Sequence, residues 1–276
     1  MDAGYRILPP IYDRWQKVYG RDFSTLILPR LLSTLRSHRI GSPVATSPLK
    51  TWRPGGRSAG RGSDLRMVDL ACGTGTLAHL MARRGWEVYG VDASEGMIRE
   101  AVKKFAALDL PVHFLHQDMR SFILPERVIL VTSFFDSLNH LLENDDLLAA
   151  FRRTNLALAS GGWFVFDVNN ELCFSTLWTK SEVVNHRDFT LHLDCSYDRR
   201  RGIAKCDVTL RERNESGGAT QLETVCERMF SPEEIRELLG EAGFAVREMK
   251  DFNFTANPAI GNIKTWCVAE KRNAVR

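Results

Sequence analysis

The stretch Met67-Val-Asp-Leu-Ala-Cys-Gly-Thr-Gly-Thr-Leu-Ala78 limits what this chain can fold into more than any other. An apolar run carrying Asp69 breaks into a turn of small residues with Gly73 and Gly75, and Leu77, Leu80 and Met81 open a helical pattern behind it. This is a strand, a glycine loop and a helix N-terminus. Glycine permits positive φ and lets a ligand approach the backbone, while the first helical turn offers free N–H groups at its positive dipole end. The spacing Gly73-x-Gly75-x-x-Ala78 also fits a dinucleotide loop, so the glycines alone do not name the ligand.

Asp69 discriminates better. A carboxylate at the mouth of a pyrophosphate loop would repel its ligand, whereas a ligand with a cationic ammonium gains from it. Trp86-Glu-Val-Tyr-Gly-Val-Asp92 reads as a second strand ending in Asp92, where an acid can hold ribose hydroxyls. Pro111-Val-His-Phe-Leu-His-Gln-Asp118 reads as a third, followed by Met119. A carboxylate there accepts from an exocyclic amine, and methionine is a soft contact for a ring face. Three acids at successive strand ends fall along one edge of a parallel sheet, where α/β folds bind ligands.

With these residues the chain resembles the class I S-adenosylmethionine-dependent methyltransferases of the small-molecule type. The resemblance rests on Val68-Asp-Leu-Ala-Cys-Gly-Thr-Gly75, on Gly90-Val-Asp-Ala-Ser94 with Gly96-Met97 behind it, and on Gln117-Asp-Met119, and it runs from about residue 12 to 270. It implies S-adenosylmethionine as cofactor, with Asp69 and the loop residues Ala71, Cys72, Gly73, Thr74 and Gly75 near the methionine moiety. Asp92 falls on the ribose and Asp118 near the adenine. Ala93, Met97, Gln117, Met119, Phe134 and Tyr19 are the further cofactor contacts it suggests. The fold it implies is a Rossmann-like α/β sheet of seven strands with helices on both faces, the last strand antiparallel to the rest.

Composition sets outer bounds. The 276 residues suit one α/β domain with an insertion, and 44% hydrophobic with 26% charged residues is ordinary for a globular chain. No run reaches the ~18 apolar residues of a membrane span, and Met1-Asp-Ala-Gly-Tyr-Arg lacks an apolar signal core, so a cytoplasmic location without a membrane partner is expected. Six cysteines show no C-x-x-C pairing, which suits a reducing compartment, and no His/Cys/carboxylate cluster suggests a metal. Between Arg30 and Arg66 seven arginines and one lysine face one aspartate. Such an arm suits a phosphate-bearing substrate or nucleic acid, or is a solvated loop; with little aromatic interleaving beyond Trp52, base stacking on nucleic acid is disfavoured. Oligomeric state has no signature in the sequence.

In chain order, Ile11, Trp15 and Val18 lie at helical spacing with Tyr12 and Tyr19 near that face. In the resembling enzymes such a helix covers the cofactor as a lid, making Tyr12 a candidate at the reacting centre; the other reading is a packing helix with aromatic anchors. Residues 23–37 read as a second helix that Pro29 should kink or break. Twelve of the 24 residues at 41–64 are Gly, Pro or Ser, so no regular structure is expected there: this is a linker or a substrate loop. Residues 127–132 are a fourth strand, leading to Ser133-Phe-Phe-Asp-Ser-Leu-Asn-His140. That segment resembles the Phe-x-Ser-x-x-His-Leu arrangement of sugar-amine methyltransferases, in which a histidine at the place of His140 handles the acceptor's proton. An imidazole suits that work near neutral pH.

Asn144 and Asp145 are candidate caps for the next helix, which Gly161-Gly162 should end, with a fifth strand at 163–168. From 172 to 230 three segments alternate at period two, the pattern of an inserted antiparallel β lobe. Trp178, Phe189, His192, Tyr197 and Arg228 are its candidate acceptor contacts. Ser231-Pro-Glu-Glu234 is a capping-box helix start. The expected organisation is a helical lid at 1–40, the basic loop at 41–64, the cofactor-binding core at 65–171 completed by 231–276, and the acceptor lobe at 172–230. The expected activity is methyl transfer to an amine or hydroxyl of a small-molecule acceptor, an amino sugar among them, with His140 and Tyr12 at the reacting centre. The alternatives are a nicotinamide-dependent oxidoreductase, for which a second mononucleotide half is missing, or a cofactor-binding module that contacts nucleic acid through the arm.

Overall fold

A computed structural model describes residues 5–18, 26–41, 65–213, 219–253 and 258–273. Tyr19, the basic segment 42–64 and residues 214–218 lie outside the described residues.

After a 3-10 turn (Pro9–Ile11) come α1 (Tyr12–Val18), α2 (Leu28–Ser37), β1 (Arg66–Leu70), α3 (Thr76–Ala82), β2 (Glu87–Asp92), α4 (Glu95–Phe105), β3 (Val112–His116) and β4 (Val128–Ser133). A second 3-10 turn (Ser137–His140) precedes α5 (Asn144–Ala157), β5 (Leu158–Asn169) and α6 (Glu171–Thr176). Then follow β6 (Ser181–Asn185), β7 (Phe189–Asp198), β8 (Ile203–Glu212), β9 (Thr220–Arg228), α7 (Pro232–Glu241), β10 (Phe244–Phe252) and β11 (Lys264–Lys271).

Seven strands form one sheet in the order β10-β11-β5-β4-β1-β2-β3. β1 pairs in parallel with β2 and β4, whereas β11 runs antiparallel to both its neighbours, as the family resemblance implied. Alternate residues of the central strands feed two cores. Val68, Leu70 and Val91 pack with Phe151 of α5 and Leu239 of α7 on one face; Met67, Val88 and Leu130 pack with Leu31 and Leu35 of α2 and Met81 of α3 on the other. Burial on both faces is why β1 and β4 read as continuous apolar runs.

The second sheet is antiparallel, β6-β7-β8-β9, inserted between β5 and α7. Its core joins Phe189, Leu191, Val208 and Leu210 to Leu8 and Ile11 of the N-terminal segment. The lobe thus carries the segment that reaches across the sheet edge.

The helical run does break at Pro29: Leu26 is helical, Ile27 is a turn, and Pro29 stands in the first turn of α2, where a missing N–H costs nothing. Three local expectations are corrected. Glu143, not Asn144 or Asp145, is the N-cap of α5, without a side-chain capping bond. Gly161-Gly162 do not end that helix. They lie within β5, which begins at Leu158; its register with β4 shifts between Val128 and Leu130, and Gly161 has φ +68°, a bulge only glycine takes without strain. The lobe has a fourth strand, β6, whose short pattern of mostly exposed residues carries little alternation. The capping box at Ser231 is present in full, its side chain accepting from Glu234 N–H while Glu234 reaches back to Ser231 N–H; such caps contribute ~1 kcal/mol.

Candidate active site

The glycine loop is built from three left-handed residues, Ala71 (φ +57°), Gly73 (+54°) and Gly75 (+76°), which carry the chain from β1 into α3. Asp69 supports this turn from beneath. It is 4% exposed, its carboxyl lies 3.2 Å from the Thr132 hydroxyl, and it accepts the Ala78 N–H in the first turn of α3, whose N-cap Gly75 has no capping side chain. Burial pushes its pKa up to about 7. Asp69 and Gly75 therefore do not reach the cavity wall, unlike the expectation from sequence, because Asp69 is one residue short of the end of β1 and is turned into the sheet.

Along the carboxyl edge of the sheet opens a cavity of about 600 Å³. Ala71, Cys72, Gly73, Thr74, Asp92, Ala93, Met97, Gln117, Asp118, Met119 and Phe134 all line it, as do Tyr12 and His140. Asp92 closes β2. One of its carboxylate oxygens accepts Gly73 N–H and the other Ser94 N–H, both at 2.8 Å, which leaves a further lone pair on each for a ligand donor. Asp118 is gripped by Arg120: the Arg120 amide donates at 2.8 Å, its Nε at 3.0 Å and a terminal nitrogen at 2.5 Å, holding the carboxyl below its usual range. The Arg120 fork also reaches Asp146 at 2.9 Å, so it ties β3 to α5.

The N-terminal segment roofs this cavity. The Arg6 and Ile7 amides donate to the buried Glu223 of β9, and Ser94 at the head of α4 donates to the Tyr5 carbonyl. Tyr5 and Tyr12 meet edge to face at 5.9 Å. Asp13 accepts from Thr74 at 2.5 Å and from Lys104 at 2.6 Å, which joins α1 to the glycine loop and to α4. Gln16 also lines the cavity, and its Oε1 is buried without a partner among the described residues. A stranded acceptor, the anionic Asp92 pair of lone pairs and an aromatic roof fit a ligand bearing an ammonium, a vicinal diol and a ring.

At the other end of the cavity Phe135 (φ +60°) and Asp136 (+58°) form a left-handed pair after β4. Both amides donate to Asp167 of β5, at 3.1 and 2.8 Å, which holds a strained turn in place. That turn presents His140. Its Nδ1 lies 3.2 Å from the Cys226 carbonyl of β9, so Nδ1 is the protonated nitrogen and Nε2 carries the lone pair, 3.4 Å from the Tyr5 hydroxyl. Burial lowers the imidazole's pKa.

Several expected contacts are elsewhere. Phe189 is in the lobe core, Tyr197 donates to Glu171, and Arg228 bonds Glu234 and the Leu142 carbonyl; the lobe meets the cavity instead through Thr224, Val225 and Cys226 of β9. His192 and Trp178 also do not line the cavity. Sequence reasoning missed Tyr5, Gln16, Ser94 and Arg120. Only Ser94 had a signal, as a helix N-cap after a strand.

Residues 67–162 match the family described as a methyltransferase domain. A Geobacillus protein (strain WCH70) that carries a methyltransferase name is 28% identical over 215 residues, 77% of this chain and 87% of that one. The dTDP-3-amino-3,4,6-trideoxy-alpha-D-glucopyranose N,N-dimethyltransferase of Streptomyces venezuelae is 30% identical over 164 residues, 57% of this chain and 58% of that one. In fold, the S-adenosylmethionine-dependent methyltransferase of Clostridium acetobutylicum superposes with a TM-score of 0.75 at 18% identity, over 95% of this chain and 99% of that one. Among the described residues no helix is long and apolar enough to cross a membrane. The glycine loop, the carboxyl-edge cavity and the matched domain agree: the chain carries a methyltransferase domain and has the class I fold of the S-adenosylmethionine-dependent methyltransferases.

Proposed function

We propose that this chain methylates an amine nitrogen of a small molecule, and that the acceptor is an amino sugar. The observation that carries the reading is His140: a histidine in the cavity wall with its tautomer set by the Cys226 carbonyl, so that Nε2, beside the Tyr5 hydroxyl, is the proton-accepting nitrogen. The Streptomyces venezuelae relative is named for an amino-sugar acceptor, which supports the substrate class.

In this reading residues 65–171 with 231–276 hold the cofactor, and 172–230 supplies the acceptor wall through β9. Asp92 receives the ribose hydroxyls, Asp118 with Arg120 and Met119 lies beside the adenine, and the loop residues Ala71, Cys72, Gly73 and Thr74 with Gln16 face the methionine end. Phe134 and Met97 supply apolar wall. Asp69 acts at a distance, by fixing the loop. S-adenosylmethionine, when bound, supplies a methyl group on a cationic sulfur that a neutral nitrogen can displace.

The protein's part is alignment and proton handling. An alkyl amine reaches the enzyme largely as ammonium, whose nitrogen has no lone pair to offer. His140 Nε2 takes that proton, and Tyr5 and Tyr12 hold the acceptor over the loop. Because burial lowers its pKa, His140 is a free base at neutral pH, so turnover should fall only below the ordinary ~6.5 of histidine.

The test incubates the protein with S-adenosylmethionine and dTDP-3-amino-3,4,6-trideoxy-glucose, or its 3-hydroxy counterpart, and reads methyl addition by mass spectrometry. Addition to the amine and not the hydroxyl, lost in His140→Ala with cofactor affinity kept, is the expected result. Addition to the hydroxyl alone, or full amine turnover by His140→Ala, would overturn the reading.

A further inference from the structure

A half-buried histidine that must become charged gains from a counter-charge, because desolvation opposes the imidazolium. Behind His140 lies a cluster of three acids and one lysine drawn from four elements. Asp136 is on its own turn, Asp167 on β5 and Glu227 on β9, with Lys264 of β11 among them. Asp167 and Lys264 are 0% and 3% exposed at the side chain, and Glu227 2%. Lys264 Nζ donates to Asp136 at 2.7 Å and to Asp167 at 3.0 Å. Asp167, which accepts this lysine and two backbone N–H groups, is arranged as a carboxylate.

Glu227 completes the cluster. It accepts from Asn169 Nδ2 at 2.9 Å, hydrogen-bonds the Asp136 carboxyl, and places Oε1 3.9 Å from His140 Nε2. Two carboxylates have no donor between them, so a bond between two carboxyls requires one proton. Asp136 accepts from Lys264 and is therefore the anion of the pair, with Glu227 the acid. Among the described residues two negative charges then face one lysine, and the surplus is cancelled when His140 gains a proton. The remaining charged neighbours have their own partners: Glu223 accepts the Arg6 and Ile7 amides, and Arg228 is paired with Glu234 at 3.0 Å.

We propose that Asp136 and Glu227 hold one proton between them, and that the single negative charge of the pair is the counter-ion that lets His140 take up the acceptor's proton. The step is a proton transfer: an N–H bond of the acceptor ammonium breaks, its electron pair stays on nitrogen, and the proton bonds His140 Nε2. Asp136 and Glu227 are positioning residues, acting through His140. The inference rests on the proton-handling role proposed for His140, but its test needs no acceptor.

The test is a pH titration of the His140 imidazole by NMR in wild type, Glu227→Gln and the double variant Asp136→Asn/Glu227→Gln, with His140→Gln assigning the signal. Glu227→Gln removes the proton-bearing acid and leaves the Asp136 charge, so His140 should titrate within about half a pH unit of wild type. The double variant removes the charge, and His140 should titrate at least about one pH unit lower. An unmoved midpoint in the double variant would overturn the counter-ion role. A fall in Glu227→Gln as large as in the double variant would overturn the shared proton. Unchanged signals from the other six histidines report intact folding. If the titrations behave as stated while amino sugars are not methylated, only the acceptor reading fails.

Discussion

Thr74 in the glycine loop donates its hydroxyl to Asp13 in the N-terminal helix, at 2.5 Å. The two are far apart in sequence, and their bond fastens the roof of the cavity to its floor. The other oxygen of Asp13 takes Lys104 of α4, so the roof is fastened at two points. A ligand that enters beneath this roof must wait for these bonds to open.

Asp13→Ala should therefore speed release of S-adenosylhomocysteine more than it speeds entry. The contact is partly exposed, so the loss in affinity should be modest, on the order of 1 kcal/mol or about five-fold. Stopped-flow dissociation measures it. An unchanged release rate would mean that the roof opens elsewhere.

Asp69 makes the ligand-free protein pH-sensitive. Its folded pKa of about 7 stands above the ~3.9 of an unfolded aspartate, so the folded state keeps a proton the unfolded chain gives up. The stability this provides is complete below about pH 4 and is lost as the pH rises through 7. Asp69→Asn keeps the acceptor for Thr132 and Ala78 and removes the titration. Thermal melts from pH 4 to 8 should show the variant gaining on wild type across this window, by a few kcal/mol at most. Parallel curves would contradict the buried position of this acid.

Gly75→Ala and Gly85→Ala make a controlled pair. Both glycines are left-handed, at φ +76° and +89°. A Cβ on Gly75 would lie 2.6 Å from the Phe114 ring and 2.9 Å from Phe105, whereas one on Gly85 meets nothing within 4 Å. Gly85→Ala should cost only the left-handed penalty of about 1–2 kcal/mol, and Gly75→Ala a further 1–3 from overpacking. Equal melting temperatures would show that the aromatic pair under the loop yields freely.

The parts of the site that could be read from the sequence are those made within a few residues. Val68 to Gly75 has strand, turn and helix signals in one run, Asp92 follows an apolar strand, and Ser231 and Glu234 form a cap three residues apart. The parts that could not be read are joined across the fold. Arg120 is an ordinary arginine until Asp146 lies beside it. Glu227 sits in an alternating strand like any surface glutamate, and only the meeting of β9, β5 and β11 shows that it is buried against Asp136 and Asn169. Asp69 marks the intermediate case: its type and place were legible, but its direction was set by Thr132, on the neighbouring strand. Tyr5 had no periodic context at all, and its place over His140 comes from Glu223 and Ser94.

The central claim is that the cavity between the glycine loop and Asp92 is the cofactor site. Calorimetric titration of wild type and Asp92→Ala with S-adenosylhomocysteine, with NAD as control, tests it most directly. Wild type should bind one equivalent and ignore NAD, and the variant should bind about ten- to a hundred-fold more weakly, the loss of charge-assisted hydrogen bonds worth about 1.5–3 kcal/mol. Equal affinity in the two proteins, or binding of NAD alone, would contradict it.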